Sequence, residues 1–372
     1  MTKLLRTVAM VGTFVLVSLT GVAPHAAGGP ATFTIGVDNA SPAGHNFEYV
    51  DYFPRAGVNV HQGDVIDFKW NFGLDGLHTA TFLPPGTPRP DLIVPEFDEG
   101  FQLQFNPAVL HPSDTSCGSA ANPCTYDGSA TVSSGAIANA APSHFFVRLD
   151  VPPGPLTFIC LIHAGMAGTV NVVPDATPAS TQAAIDGEAA AQLVADTHGA
   201  KVAEAQAESR SVKTNPDGTH TVTITAGTAT QYVEVAEMLP RKVEVRLGDT
   251  VEWVTRTLKD PHTVTFPEGP GSDPVDPLSP LCESGGGDTP PPGGPPPSFG
   301  CPNPLDSEIH VFPQPQGPTV ISSTSTVASS GIISTLPPGP DHYSFSFVGT
   351  GTFAYMCRIH DHMVGTVMVV GR

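Results

Sequence analysis

The sequence predicts an all-β chain of two β-sandwiches joined by a partly helical linker, and three observations lead there. The same segments recur in the same order in both halves of the 372 residues. Apolar residues alternate with a period of two, in short runs bounded by Gly, Pro, Asp and Ser. Gly (38) and Pro (40) are both abundant, which favours short strands and frequent turns over long helices.

The repeat can be followed element by element. "FPRAGVNVHQGDVIDFKW" (53–70) matches "LPRKVEVRLGDTVEW" (239–253) with a small gap, and "LHTATF" (77–82) matches "PHTVTF" (261–266). "TVSSGAI" (131–137) resembles "VASSGII" (327–333), and "HFFVRL" (144–149) stands opposite "HYSFSF" (342–347). "FICLIHAGMAGT" (158–169) repeats as "YMCRIHDHMVGT" (355–366). Strands such as VEVRLGDTVEWV and GTVMVV read as an antiparallel sandwich or barrel. Residues 180–208 are rich in Ala, Glu and Gln, lack Pro and read as helix, weakened by Gly187 and Gly199. The expected organisation is a signal peptide over 1–28, domain 1 over 29–174, the Ala-rich linker over 175–212 and domain 2 over 213–372.

Residues 1–28 carry Lys3 and Arg6, an apolar run and a small-residue zone, the pattern of an export signal. No later segment is long and apolar enough to span a bilayer. Export places the chain in an extracellular, cell-envelope or periplasmic setting, where idle thiols pair. Cys117, Cys124, Cys282 and Cys301 allow three pairings, and the local one, Cys117 with Cys124 and Cys282 with Cys301, is simplest. The formal charge of −19 argues against nucleic acid and anionic lipid as partners. Redox partners and oligomeric state are not legible.

Cys160 and Cys357 stand apart, each opening a Cys-x2-His-x2-Met segment with His163 and Met166 or His360 and Met363. His78 and His262 precede them on earlier strands. A thiolate, two imidazoles and a weak thioether suit copper that cycles between Cu(I) and Cu(II), whereas zinc takes a more symmetric set without methionine.

The chain thus resembles two copies of a cupredoxin, the blue-copper family that includes plastocyanin, pseudoazurin and amicyanin. The resemblance rests on the "GD" strand pair, the single His, "SSG" and the aromatic strand before C-x2-H-x2-M-x-G-T-V. It implies two Greek-key cupredoxin sandwiches, with one copper per domain held by His78, Cys160, His163 and Met166, and by His262, Cys357, His360 and Met363. It also implies that His163 and His360 are partly exposed electron ports. Thr79 and Thr263 stand where many members have Asn bracing the cysteine loop, which leaves the tuning of the site open. His362 reads as a surface residue because Gly165 is its counterpart. His144 and His342 read as strand-start residues, Met356 and Met368 as packing, and Trp70 and Trp253 as core or edge.

The function expected is an exported electron carrier with two type 1 copper sites and no substrate of its own. The alternative is extracytoplasmic copper storage or delivery. A multicopper oxidase or nitrite reductase-like enzyme needs a His before the cysteine and paired His-x-His motifs. Ile159 and Met356 hold the first places, and His-x-His occurs once, at 360–362.

Overall fold

Aspartates in the two "GD" turns show how these strands are set. Asp64 accepts hydrogen bonds from the backbone of Ala31 and His61, and Asp249 from His220 and Arg246. One carboxylate closes the turn and also ties down the first strand of its half. A computed structural model describes residues 29–71, 76–96, 102–137, 143–209, 211–269, 278–282, 307–311, 315, 317–335, 339–360 and 362–371. The expected signal peptide and Cys301 lie outside these residues, and of Cys282 only its place in a strand is described.

In the first half one sheet runs Tyr52–Phe53, Thr32–Val37, Val65–Trp70, His144–Leu149, Cys124–Tyr126. The facing sheet runs Val132–Ser133, Thr81–Phe82, Gly154–Ile159, Ala167–Val172, Val58–Val60. The second half repeats the plan. Lys242–Arg246, Val364–Val370, Gly351–Met356, Thr265–Phe266 and Ala328–Ser329 form one sheet. Its partner contains His220–Ala229, Thr250–Arg256 and His342–Phe347. The sheets are mixed rather than antiparallel: Thr32–Val37 lies parallel to Val65–Trp70, and Val58–Val60 parallel to Ala167–Val172. The cause is the GD turn, which carries the chain from one sheet to the other instead of back along its neighbour.

Each sandwich closes on its own aromatic core. Phe68, Phe82 and Phe158 meet in the first, and Trp253, Phe266, Phe345 and Tyr355 in the second, with rings edge-on or tilted. Trp70 and Trp253 are both buried, as core residues. The register sets Phe68, not Trp70, in the place of Trp253, because Val65 and Thr250 each follow the GD aspartate. The Gly-Thr-Val after each methionine has a packing reason. A Cβ on Gly168 would come within 2.3 Å of the Phe158 ring, and on Gly365 within 2.3 Å of Tyr355. Glycine lets the aromatic of the adjoining strand lie flat across it.

The linker helix spans Gln182–Ala207 without a break at Gly187 or Gly199, capped by Thr181 accepting from the Ala184 amide. Tertiary packing overrides the two glycines: Ile185, Ala200 and Ala207 are buried. Gln182 hydrogen-bonds both backbone groups of Thr34, and Gln192 accepts from the Arg55 amide and donates to the Tyr52 carbonyl. Sheet edges are thereby satisfied by side chains.

The helix also covers a third apolar cluster that unites the halves: Phe47, Tyr49, Phe53, Val233, Val235 and Leu239. Phe47–Tyr49 pairs antiparallel with Val233–Leu239 of the second half, placing Glu48 opposite Glu234. The repeat extends here, since "FEYVDYFPR" (47–55) parallels "VEVAEMLPR" (233–241). Arg55 pairs with Asp51 as Arg241 does with Glu237. Two equivalent strands therefore meet across a local pseudo-twofold axis.

Cys117 and Cys124 form a disulfide. Its loop is short, so Cys117→Ala with Cys124→Ala is expected to cost about 2–3 kcal/mol in chemical denaturation. The histidine and cysteine groups described below should stay intact, since the bridge ties the 117–124 loop to Cys124–Tyr126, the edge strand of its sheet.

Candidate metal centres

The structure gathers the sequence-predicted donors into two buried groups. His78, Cys160 and His163 form one, His262, Cys357 and His360 the other, with donor atoms within 4.8 Å of one another in each. All six are at most 5% exposed, and Met166 and Met363 are buried in the same loops.

Each group is assembled from two places. The first histidine is held by an isolated bridge, His78 to Ile137 and His262 to Ile333. The Ser-Ser-Gly segment pins that strand: Ser134 and Ser330 accept from the Ala80 and Val264 amides, and Ser133 and Ser329 meet Thr81 and Thr265. The other donors come from one tight loop at a strand end. The Cys160 amide donates to the Met166 carbonyl at 3.0 Å and the Met166 amide to His163 at 3.2 Å; Cys357, Met363 and His360 do the same at 2.9 and 3.3 Å. Closing this loop needs a left-handed residue, Gly165 at φ 84° or His362 at φ 68°. His362 is exposed and belongs to neither donor group, as its glycine counterpart implied.

The sulfurs are dressed as anions. Cys160 Sγ receives the amides of Thr79, Ile162 and His163 at 3.4–3.5 Å, and Cys357 Sγ those of Thr263 and Ile359 at 3.3–3.4 Å. Burial alone would favour the neutral thiol. The paired imidazoles beside each sulfur outweigh it, holding both cysteines well below the ordinary thiol range. Thr79 and Thr263 also brace the loop, their hydroxyls accepting from Leu161 and Arg358 amides at 2.8 Å. Threonine does here what the departure from asparagine had left open.

The imidazoles turn Nδ1 inward. His78 Nδ1 and His163 Nδ1 stand 3.0 Å apart, and Cys160 Sγ lies 3.8 Å from His163 Nδ1. In the second half Cys357 Sγ is 3.7 Å from His360 Nδ1, and His262 Nδ1 is buried with no hydrogen-bond partner. A buried nitrogen without a partner, facing a thiolate and a second imidazole, fits a metal at that point. Both groupings are consistent with type 1 copper, one per half.

Both halves are mixed β-sandwiches built on one plan. The GD strand pair, the pinned histidine, the Ser-Ser-Gly strand and the Cys-x2-His-x2-Met loop occupy equivalent places in two equivalent sandwiches. No protein-family model matches the chain, and no curated protein is similar to it. Among solved structures it is similar to amicyanin from Paracoccus versutus (16% identity, 44% of this chain and 92% of that one, TM-score 0.20). It is also similar to a reduced Cu(I) form of an amicyanin variant (18%, 44% and 93%, 0.20) and to a fern plastocyanin variant (14%, 40% and 99%, 0.20).

One implication of the resemblance fails. His163 and His360, expected as partly exposed ports, are 4% and 5% exposed. The two halves turn these imidazoles toward each other, and carboxylates fill the space between. His163 Nε2 lies 3.1 Å from Asp260 and 3.7 Å from Glu48. His78 Nε2 lies 3.8 Å from both Glu48 and Asp38, and His360 Nε2 3.9 Å from Glu48. His262 Nε2 hydrogen-bonds Glu234 at 3.2 Å. Burial and the nearby Asp260 push Glu48 up to about 7, against the pull of the imidazoles. Asp260 moves down despite its burial, held by His163.

These carboxylates were missed from sequence. Their signal was acid within apolar strands, Glu48 in FEYV and Glu234 in VEVA, at matching places of the repeat. Their orienting of the imidazoles through the remote nitrogen is what such groups do beside metal ligands.

Proposed function

We propose that the chain is an exported electron-transfer protein with one type 1 copper in each half. The observation that supports this most is the duplicated buried group of a low-pKa thiolate, two inward Nδ1 atoms and a methionine on the same loop. His78, Cys160, His163 and Met166 would hold one ion, His262, Cys357, His360 and Met363 the other. Copper supplies a one-electron Cu(I)/Cu(II) couple when bound. The chain's part is to keep the donors in place through Ser-Ser-Gly, the Thr braces and the amide-to-sulfur bonds, so that little rearranges when charge changes. The described residues include no helix long and apolar enough to cross a membrane.

A second reading, copper storage or delivery outside the cytosol, draws support from the burial of both loop imidazoles, which leaves no ligand edge at the surface for a redox partner. Enzymatic copper chemistry is disfavoured by Ile159 and Met356 in the places where an oxidase or nitrite reductase needs histidine. Stoichiometric oxidation and reduction decide between the first two. Intense visible absorption that bleaches with reductant and returns with oxidant supports electron transfer; copper held as Cu(I) only, with no coloured form, supports storage.

The methionines carry a further expectation. Met166→Leu or Met363→Leu should leave copper bound and raise the reduction potential, because a donor that favours Cu(II) is lost while the buried apolar volume is kept. Spectroelectrochemistry on each variant checks this, and an unchanged potential argues against methionine as a copper donor.

A further inference from the structure

Glu48, Asp260 and the remote nitrogen of His163 form a group of their own, with ligand atoms within 4.8 Å of one another, lying between the two thiolate groups. We propose that this interdomain group binds a third metal ion, a divalent ion of zinc or copper type, with His163 bridging it to the metal of the first half. This rests on the copper reading above for the ion on Nδ1, and not for the carboxylates.

Three observations carry it. The first is spacing. Donors placed about 2.0–2.2 Å from a common ion stand about 3–4 Å from each other. His163 Nε2 is 3.1 Å from Asp260 Oδ1 and 3.7 Å from Glu48 Oε1.

The second is unspent bonding capacity. Asp260 Oδ2 is buried with no hydrogen-bond partner, on a side chain only 10% exposed. Buried polar atoms left open in this way need a ligand to account for them.

The third is charge. Among the described residues, the ion pairs of Glu48, Glu234 and Asp260 are all with imidazoles. The buried acids that have guanidinium partners are others: Asp51 and Asp196 with Arg55, and Glu237 with Arg241. Two buried carboxylates on either side of one imidazole are best compensated by a cation.

The pseudo-twofold makes this site single. Aligning His78 with His262 brings Gly76 to the place of Asp260. Glu48 lies near both loop histidines, 3.7 Å from His163 and 3.9 Å from His360, but the first half has a glycine in the place of Asp260, so the matching group about His360 lacks its second carboxylate. Three ions per chain are expected, not four. An N/O donor set with two carboxylates suits Zn(II) or Cu(II) better than a soft Cu(I) ion.

The test is a zinc titration of desalted full-length protein loaded with two Cu(I) per chain, the soft ion the carboxylate group does not favour, read by metal analysis and, after oxidation, by the visible spectrum. One Zn(II) per chain beyond the two coppers, with the thiolate bands kept, is expected. Glu48→Gln with Asp260→Asn should lose that zinc. No zinc uptake, zinc that enters only by displacing copper, or uptake unchanged in the double variant would each overturn the proposal. Should the protein prove to hold no copper, the copper reading fails by itself. The same titration on Cys160→Ala with Cys357→Ala then decides the third site: zinc that depends on Glu48 and Asp260 sustains it, and zinc indifferent to them, or none, ends it.

Discussion

Cys357→Ser is expected to remove about half of the thiolate-to-copper absorption of the fully loaded protein, and Cys160→Ser the other half. The sulfur in each group is the only anionic donor among the four, and it is held ready by amides at 3.3–3.5 Å. A serine hydroxyl is a hard, protonated donor at neutral pH and gives no such band. The two losses are equal because the sites are built alike, from the threonine brace to the left-handed loop residue. Visible absorption against bound copper for each variant measures it. A variant that loses all the colour or none would show that one half does not carry a thiolate-copper centre.

Gly227→Ala should abolish copper binding in the second half alone and destabilise the fold by roughly 2–4 kcal/mol, combining left-handed strain with overpacking. Gly227 has φ 75°, and a Cβ there would stand 2.0 Å from His262 Nε2, against a ring also tied to Glu234 at 3.2 Å. The first half supplies a comparison, since Asp38 is also left-handed, at φ 59°, and stands 3.8 Å from His78 Nε2. The backbone there accepts a side chain, so in the second half the collision with His262 decides. Denaturation together with a copper count checks this. A variant of wild-type stability holding two coppers would mean that His262 is not packed as described.

Much of this was legible because it is local or repeated. Cys-x2-His-x2-Met places its donors on one loop whatever surrounds it, and duplication showed that Gly165 and His362 share a backbone need rather than a chemical one. Period-two runs bounded by Gly and Pro marked the strands, and the SSG segments marked a fixed partner for each histidine. The parts that escaped are long-range. Glu48 reaches His360 only because Phe47–Tyr49 joins the sheet of the other half, a pairing across more than 180 residues that no pattern announces. The same packing buries His163 and His360, so exposure inferred from single-domain relatives could not hold. The helix survives Gly187 and Gly199 because its stability comes from the cluster beneath it, not from propensity.

Metal analysis joined to the visible spectrum of the reconstituted full-length chain bears most directly on all of this. The account predicts two thiolate-bound coppers per molecule, each contributing an intense blue band in the oxidised form. A chain that takes up no copper at either cysteine would contradict it.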